Sequence, residues 1–263
     1  MERVEVSSVD GITLEAAVDR SSSPIRRGVV VLVHGVTVDM DEGGGMFVRL
    51  AEQLAAVGFD VVRFSFRGHG GSGGTQRGVT IAGECLDLQA VIEWTRVRFA
   101  GPVSVVAASF GAVSTLMSLS WLGDRLHRLV LWNPVLDLRH TFLAPELPWG
   151  IANFGTAQRK ALQDVGFLVV DGEFELGRVL FEEFARYRPA DEFLAASVPA
   201  LIVHGDRDAA VSYSIAAEAA KGRPDTLLHT VAGSDHGFDS RDREDEAISV
   251  TATWLIAQTP PAS

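Results

Sequence analysis

Short runs of mainly apolar, often β-branched residues punctuate this chain: GVVVLVHG (28–35), DVVRFSF (60–66), PVSVVAAS (102–109), HRLVLWNP (127–134) and PALIVHG (199–205). The first of them, GVVVLVHG, is a continuous apolar run ending in glycine. A strand of that kind needs cover on both faces, as in a parallel sheet packed between helices. The intervening segments fit that role. GMFVRLAEQLAAVG (45–58) carries Phe47, Leu50 and Leu54 at helical spacing and ends on Gly58. Residues 80–99 and FGAVSTLMSLSWL (110–122) are the next helices, and SIAAEAAKG, DTLLHTVAG and EAISVTATWLIAQ add helix, strand and helix near the end. The alternation predicts an α/β fold with a mostly parallel central sheet and helices on both faces. Residues 2–19, alternating loosely about Asp10-Gly11, predict a β-hairpin at one sheet edge.

The pattern breaks at residues 136–196. That stretch is rich in large apolar side chains but shows no clear strand, and LAPELPWGIANFG holds two prolines and two glycines. It reads as a small cap inserted into a core made of residues 1–135 and 197–263. Trp132, Trp149 and Phe154 are its candidate substrate-binding side chains, against the alternative that such residues merely pack the cap.

A net charge of −11 and the absence of any Lys/Arg-rich run exclude the phosphate-neutralising surface of a nucleic-acid binder. The single cysteine, Cys85, cannot form an internal disulfide and reads as a small buried residue. MERVEVSSVDG lacks the apolar core of a signal peptide. No apolar run approaches the ~20 residues of a membrane span. The expectation is a soluble, cytoplasmic protein. No His/Cys/Asp/Glu group has metal-ligand spacing, and GHGGSGG lacks the Lys-Ser/Thr of a phosphate loop, so neither metal nor cofactor is expected.

Three polar residues each follow a predicted strand: Ser109 after PVSVVAA, Asp208 after PALIVHG and His236 after TLLHTVAG. In an open α/β sheet, ligands bind beyond the carboxyl ends of the strands, so all three belong on one edge. Ser109 alone could be a helix N-cap; the order Ser, Asp, His at matching strand ends favours a nucleophile, an acid and a base. Ala107-Ala108-Ser109-Phe110-Gly111 resembles the G-x-S-x-G elbow of the α/β-hydrolase fold enzymes, with alanine for the first glycine. His34-Gly35-Val36-Thr37, Phe66-Arg67-Gly68-His69-Gly70-Gly71-Ser72 and Gly233-Ser234-Asp235-His236-Gly237-Phe238 resemble that family's loops. Within His204-Gly205-Asp206-Arg207-Asp208, the family pattern H-G-x-x-D-x-x-V aligns on Asp208 and Val211. Asp206 then reads as a turn former, and Asp235 is the weaker alternative acid.

The resemblance implies a Ser109–His236–Asp208 triad and an oxyanion hole made by the backbone N–H groups of Val36 and Phe110. It implies fold-holding roles for His34, Arg67 and His69. Residues 30–75 are similar to the feruloyl (cinnamoyl) esterases. AASFGA and NPVLDLRHTF resemble, over shorter fragments, the acyl-carrier-protein myristoyl thioesterases of bioluminescent bacteria. The expected activity is hydrolysis of a carboxylic ester with a small to medium acyl group, through an acyl-enzyme. Alternatives are an acyl-thioesterase acting on carrier-protein or CoA thioesters, an acyltransferase, or a binding protein of the same fold. The expected partner is a small-molecule ester or thioester, with an acyl carrier protein in the second case.

Overall fold

The computed structural model describes residues 1–259. Its strands are β1 (Glu2–Ser7), β2 (Thr13–Asp19), β3 (Gly28–Val33), β4 (Phe59–Phe64), β5 (Val103–Ala108), β6 (Arg128–Trp132), β7 (Phe167–Val170), β8 (Phe174–Gly177), β9 (Ala200–Gly205) and β10 (Thr226–Val231). Its helices are α1 (Met46–Ala56), α2 (Ile81–Arg98), α3 (Gly111–Met117), α4 (Leu119–Leu122), α5 (Pro148–Phe154), α6 (Thr156–Val165), α7 (Arg178–Glu183), α8 (Pro189–Ala195), α9 (Tyr213–Lys221) and α10 (Arg241–Gln258). Eight strands form one sheet in the order β1-β2-β4-β3-β5-β6-β9-β10. From β4 to β10 every neighbouring pair is parallel, and the β1–β2 hairpin closes the far edge antiparallel to β4.

Pleating explains why the β3 run is apolar throughout. Val29, Val31 and Val33 of β3 turn toward α2, α3 and α9, while Val30 and Leu32 turn toward α1 and α10. Both faces of β3 are buried, so apolar side chains suit both registers of its pleat. The same parity settles one sequence expectation. Trp132, the last residue of β6, falls on the α1/α10 face.

Between β6 and β9 the chain adds no strand to the main sheet, but it does contain strands. β7 and β8 form a separate antiparallel hairpin. Its turn is Asp171-Gly172, with φ 53° and 77°, and the Glu173 N–H donates to the Val170 carbonyl at 3.1 Å. An Asp-Gly pair with both φ positive is the turn that matches strand twist, and it is a signal present in the sequence. A short π-helical turn, Arg139–Leu143, opens the insertion. Its core joins Phe142, Phe154, Leu168, Phe174 and Phe184 to Val36 and Phe110 of the body. The last helix, α8, instead sinks Phe193 into the body's main core. Among the described residues no helix is long and apolar enough to cross a membrane.

Candidate active site

β5 ends at Ala108, and Ser109 turns the chain into α3 with φ 49°. The turn is tight. The Ser109 N–H donates to the Trp132 carbonyl at 2.8 Å, and the Val135 N–H donates to the Ser109 carbonyl at 3.1 Å. A Cβ on Gly111 would lie 2.3 Å from the His34 carbonyl oxygen, so only glycine lets α3 approach the end of β3. Ala107 is fully buried in the sheet. The positive φ and the glycine together lift the serine hydroxyl out of the sheet edge.

Two other strand ends meet it. His236 follows β10, and its Nε2 accepts from Ser109 Oγ–H at 3.0 Å. Its Nδ1–H donates to Asp208 Oδ2 at 2.8 Å. Asp208 follows β9, and its side chain is fully buried. Oδ1 of Asp208 accepts the N–H groups of Ala210 and Val211, each at 2.8 Å. Oδ2 also accepts from His204 Nε2–H at 3.1 Å. Burial alone would raise the Asp208 carboxyl; the charge of His236 and the hydrogen bonds from His204 and His236 outweigh it and hold the carboxyl well below the usual carboxylate range. Burial would likewise lower His236, but the charge and hydrogen bond of Asp208, with smaller contributions from Glu42 and Asp235, raise it above the ordinary histidine value.

The competing aspartates face elsewhere. Asp206 accepts the Gly233 N–H at 2.6 Å, and Asp235 accepts the N–H groups of Ala209 and His236, each at 2.7 Å. They shape the two loops that carry Asp208 and His236.

A cavity of about 200 Å³ opens onto Ser109 and His236. Val36 and Phe110 line it, with no hydrogen bond to either N–H among the described residues. Its walls are Val38, Val135, Ala210 and Val211 from the body and Phe142 and Trp149 from the insertion. Trp149 is fixed by its Nε1–H, which donates to Asp171 Oδ1 at 2.8 Å.

Two expected wall residues are not there. Trp132 is packed against Phe47 and edge-on to Phe238, and its Nε1–H donates to Thr251 Oγ1 at 2.8 Å. It buttresses the loop holding His236 from the opposite face of the sheet. Phe154 is fully buried behind Phe142 and Trp149, a packing residue of the insertion. Three residues that the sequence reading passed over do belong to the site. His204 sits inside an apolar strand, where a buried imidazole needs a partner; that was its signal. Asp171 announced itself through the hairpin turn. Glu42, half-buried at the cavity, had no signal, since DMDEGGG has no periodicity.

His34 and His69 hold the loops. His34 Nδ1–H donates to the Gly35 carbonyl at 2.6 Å, and its Nε2 accepts the Phe66 N–H at 2.9 Å. Burial, helped by nearby His69, pushes the His34 imidazole well below the ordinary histidine value. Among the described residues no cluster of three or more His, Cys, Asp or Glu could hold a metal ion.

Several solved structures share this architecture. Est1E from Butyrivibrio proteoclasticus, determined with ferulic acid bound, is 22% identical and superimposes with a TM-score of 0.81 over 97% of this chain and 98% of that one. A hydrolase from Agrobacterium vitis S4 is 22% identical, with a TM-score of 0.76 over 97% and 98%. Mouse alpha/beta hydrolase domain-containing protein 10 is 16% identical, with a TM-score of 0.79 over 98% and 100%. The likeness establishes the α/β-hydrolase fold. No curated protein sequence matches the chain. The family profile described as "Serine aminopeptidase, S33" matches residues 24–171, more than half of the length and the part that carries Val36, Ser109 and Phe110, so the chain belongs to that hydrolase family.

Proposed function

We propose that this hydrolase cleaves carboxylic esters through an acyl-enzyme on Ser109. The observation that carries the reading is the hydrogen-bonded chain from Ser109 through His236 to Asp208 at the floor of the cavity. A hydroxyl is a poor nucleophile near neutral pH without an adjacent base. In this reading His236 Nε2 takes the Ser109 proton as Oγ attacks the ester carbonyl. The N–H groups of Val36 and Phe110 receive the negative charge that develops on the carbonyl oxygen. His236 returns the proton to the departing alcohol, and the alkoxide does not leave unprotonated. A water molecule, activated by the same imidazole, then releases the acid and restores Ser109. Asp208 holds the tautomer and stabilises the imidazolium in both halves.

The cavity's size and apolar walls favour a small to medium acyl group. Residues 136–196 act as the cap, with Phe142 and Trp149 as its contribution to the acyl wall. Fluorophosphonate treatment followed by peptide mapping tests the nucleophile: the adduct is expected on Ser109, and Ser109→Ala should lose about 10⁶ in kcat. An adduct elsewhere on active protein removes the assignment. A side-by-side panel of p-nitrophenyl esters, acyl thioesters and a feruloyl ester, the last because a protein of the same fold binds ferulic acid, separates ester from thioester cleavage.

A further inference from the structure

Glu42 lies in the loop between β3 and α1, with φ 57° and ψ 166°. That combination is essentially reserved for glycine. Three glycines follow immediately, Gly43, Gly44 and Gly45, yet this position carries a glutamate. The loop holds it there: the Glu42 N–H donates to the Asp39 carbonyl, and its carbonyl accepts the Gly45 N–H, each at 3.0 Å. The side chain reaches the Ser109 cavity. Oε2 accepts the Gly35 N–H at 2.9 Å and Oε1 accepts the Gly43 N–H at 3.2 Å. Gly35 is wedged between nucleophile and carboxylate. A Cβ there would lie 3.3 Å from Ser109 Cβ and 3.8 Å from each Glu42 carboxylate oxygen.

The peptide unit that follows consists of the Gly35 carbonyl and the Val36 N–H. Side chains pin it at three successive points. Glu42 takes the N–H before it, His34 Nδ1–H donates to its carbonyl at 2.6 Å, and His69 Nε2–H donates to the next carbonyl, that of Val36, at 2.7 Å. Of the three, only Glu42 lines the cavity. Oxyanion donors act through preorganisation, so a peptide free to rotate would lose most of its effect.

We propose that Glu42 is a positioning residue for acyl transfer, bracing the Gly35–Val36 peptide so that the Val36 N–H faces the oxyanion. The strained backbone is the consequence of bringing a carboxylate to that point. The inference rests on the ester-hydrolase reading above. Its charge also lies close enough to His236 to favour the imidazolium, together with Asp208 and Asp235, the other acidic groups that face this ring.

The test compares Glu42→Gly, Glu42→Ala and Glu42→Gln in the full chain. Glu42→Gly removes the brace and relieves the backbone, so kcat should fall about 10- to 100-fold while Tm stays level or rises. Glu42→Ala should lose kcat similarly, with KM changed less than about threefold. Glu42→Gln keeps an acceptor for the Gly35 N–H and should restore most of the lost kcat. With one negative charge gone, its acidic limb of kcat/KM should move to lower pH. The second-order rate of fluorophosphonate labelling at Ser109 should follow the same order as kcat. If Glu42→Gly and Glu42→Ala keep kcat and labelling within about twofold of wild type, or if Tm and kcat fall together in both, the brace is overturned while the ester-hydrolase reading stands. Wild-type protein that is not labelled on Ser109 overturns both.

Discussion

Asp208 and Glu84 are both buried carboxyl groups, and they are held in opposite charge states. Asp208 lies at the carboxyl end of the sheet and receives four donors: two backbone N–H groups on Oδ1 and two imidazole N–H groups on Oδ2. Glu84 lies between α2 and α3, 1% exposed, and receives one, the Ser114 hydroxyl at 2.5 Å. Burial raises both groups. For Glu84 it wins, with Ser114 opposing, and the carboxyl is pushed up to about 8; for Asp208 the donors and the facing histidine win. The difference shows that burial does not set charge here. The facing histidine and the number of donors do, and four donors are gathered on the carboxylate that faces His236. Glu84 serves a different end, fastening the helix that starts at the nucleophile to its neighbour as a neutral acid.

The sharpest way to break this contrast is to remove the charge without the shape. Asp208→Asn leaves the packing but presents an amide to His236 Nδ1, favouring the wrong tautomer. In the proposed triad kcat should fall about 10⁴-fold, measured by single-turnover hydrolysis of an activated ester. Asp206→Asn, at a carboxylate that accepts the Gly233 N–H, should lose less than about tenfold. Equal losses would mean that Asp208 is not the orienting acid. The same charge governs the pH profile. In the proposed mechanism His236 acts as a base only when neutral, and its proton is held more tightly than in free histidine. Activity should therefore rise with pH through an acidic limb lying above about 6.5.

The second effect is on stability, and its sign is opposite for the two carboxyls. Asp208 is more acidic folded than unfolded, so its contribution is present at neutral pH and lost as pH falls toward its folded value. Glu84 is less acidic folded, about 8 against 4.5. Its contribution is therefore full below about 4.5 and is lost as pH rises through 8. Glu84→Gln removes that loss. Relative to wild type, the variant should gain about 2–4 kcal/mol between pH 5 and pH 9, read from urea unfolding at each pH, with activity unchanged because Glu84 touches no part of the site. A constant offset across that range would show that Glu84 is already ionised in the folded protein.

These two regions also differ in how far they could be read from sequence. The strand runs are local: a mainly apolar, often β-branched stretch has few folds open to it, and Ser109, Asp208 and His236 each follow a strand readable in the sequence. Pleat parity was equally local, and counted along β6 it puts Trp132 with Val130, on the α1/α10 face. The Asp171-Gly172 turn is a local signal too, but the flanking residues show no clear strand pattern, and β7 and β8 emerge only in the structure. Other features depend on the assembled molecule. Phe154 and Trp149 have the same residue character and lie five positions apart, yet only Trp149 reaches the cavity, because Asp171 of the hairpin holds its indole. Glu84 reads as an ordinary polar residue of a long helix until α3 covers it. Glu42 gains meaning only when Gly35 is beside it.

His204 supplies the finest test, because it is one donor of the four on Asp208. Its Nε2–H reaches Asp208 Oδ2 at 3.1 Å, its buried Nδ1 has no hydrogen-bond partner among the described residues, and its ring stands edge-on to Tyr213 at 5.6 Å. Phenylalanine would fill the same volume and keep the edge contact while offering no donor. If charge is set by the number of donors, His204→Phe moves Asp208 part of the way toward the condition of Glu84. Three donors remain, and the carboxyl starts well below its usual range, so it stays ionised at neutral pH. The loss in kcat should then be at most about tenfold, below the full ~1.5–3 kcal/mol of one hydrogen bond to a charged group, because the carboxylate keeps its charge. The acidic limb should barely move, because it reports His236. Stability should change little, since the unpartnered Nδ1 leaves together with the donor. A loss approaching that of Asp208→Asn would mean that the ionised state depends on His204 in particular, and the comparison with Glu84 would then turn on one side chain and not on the number of donors.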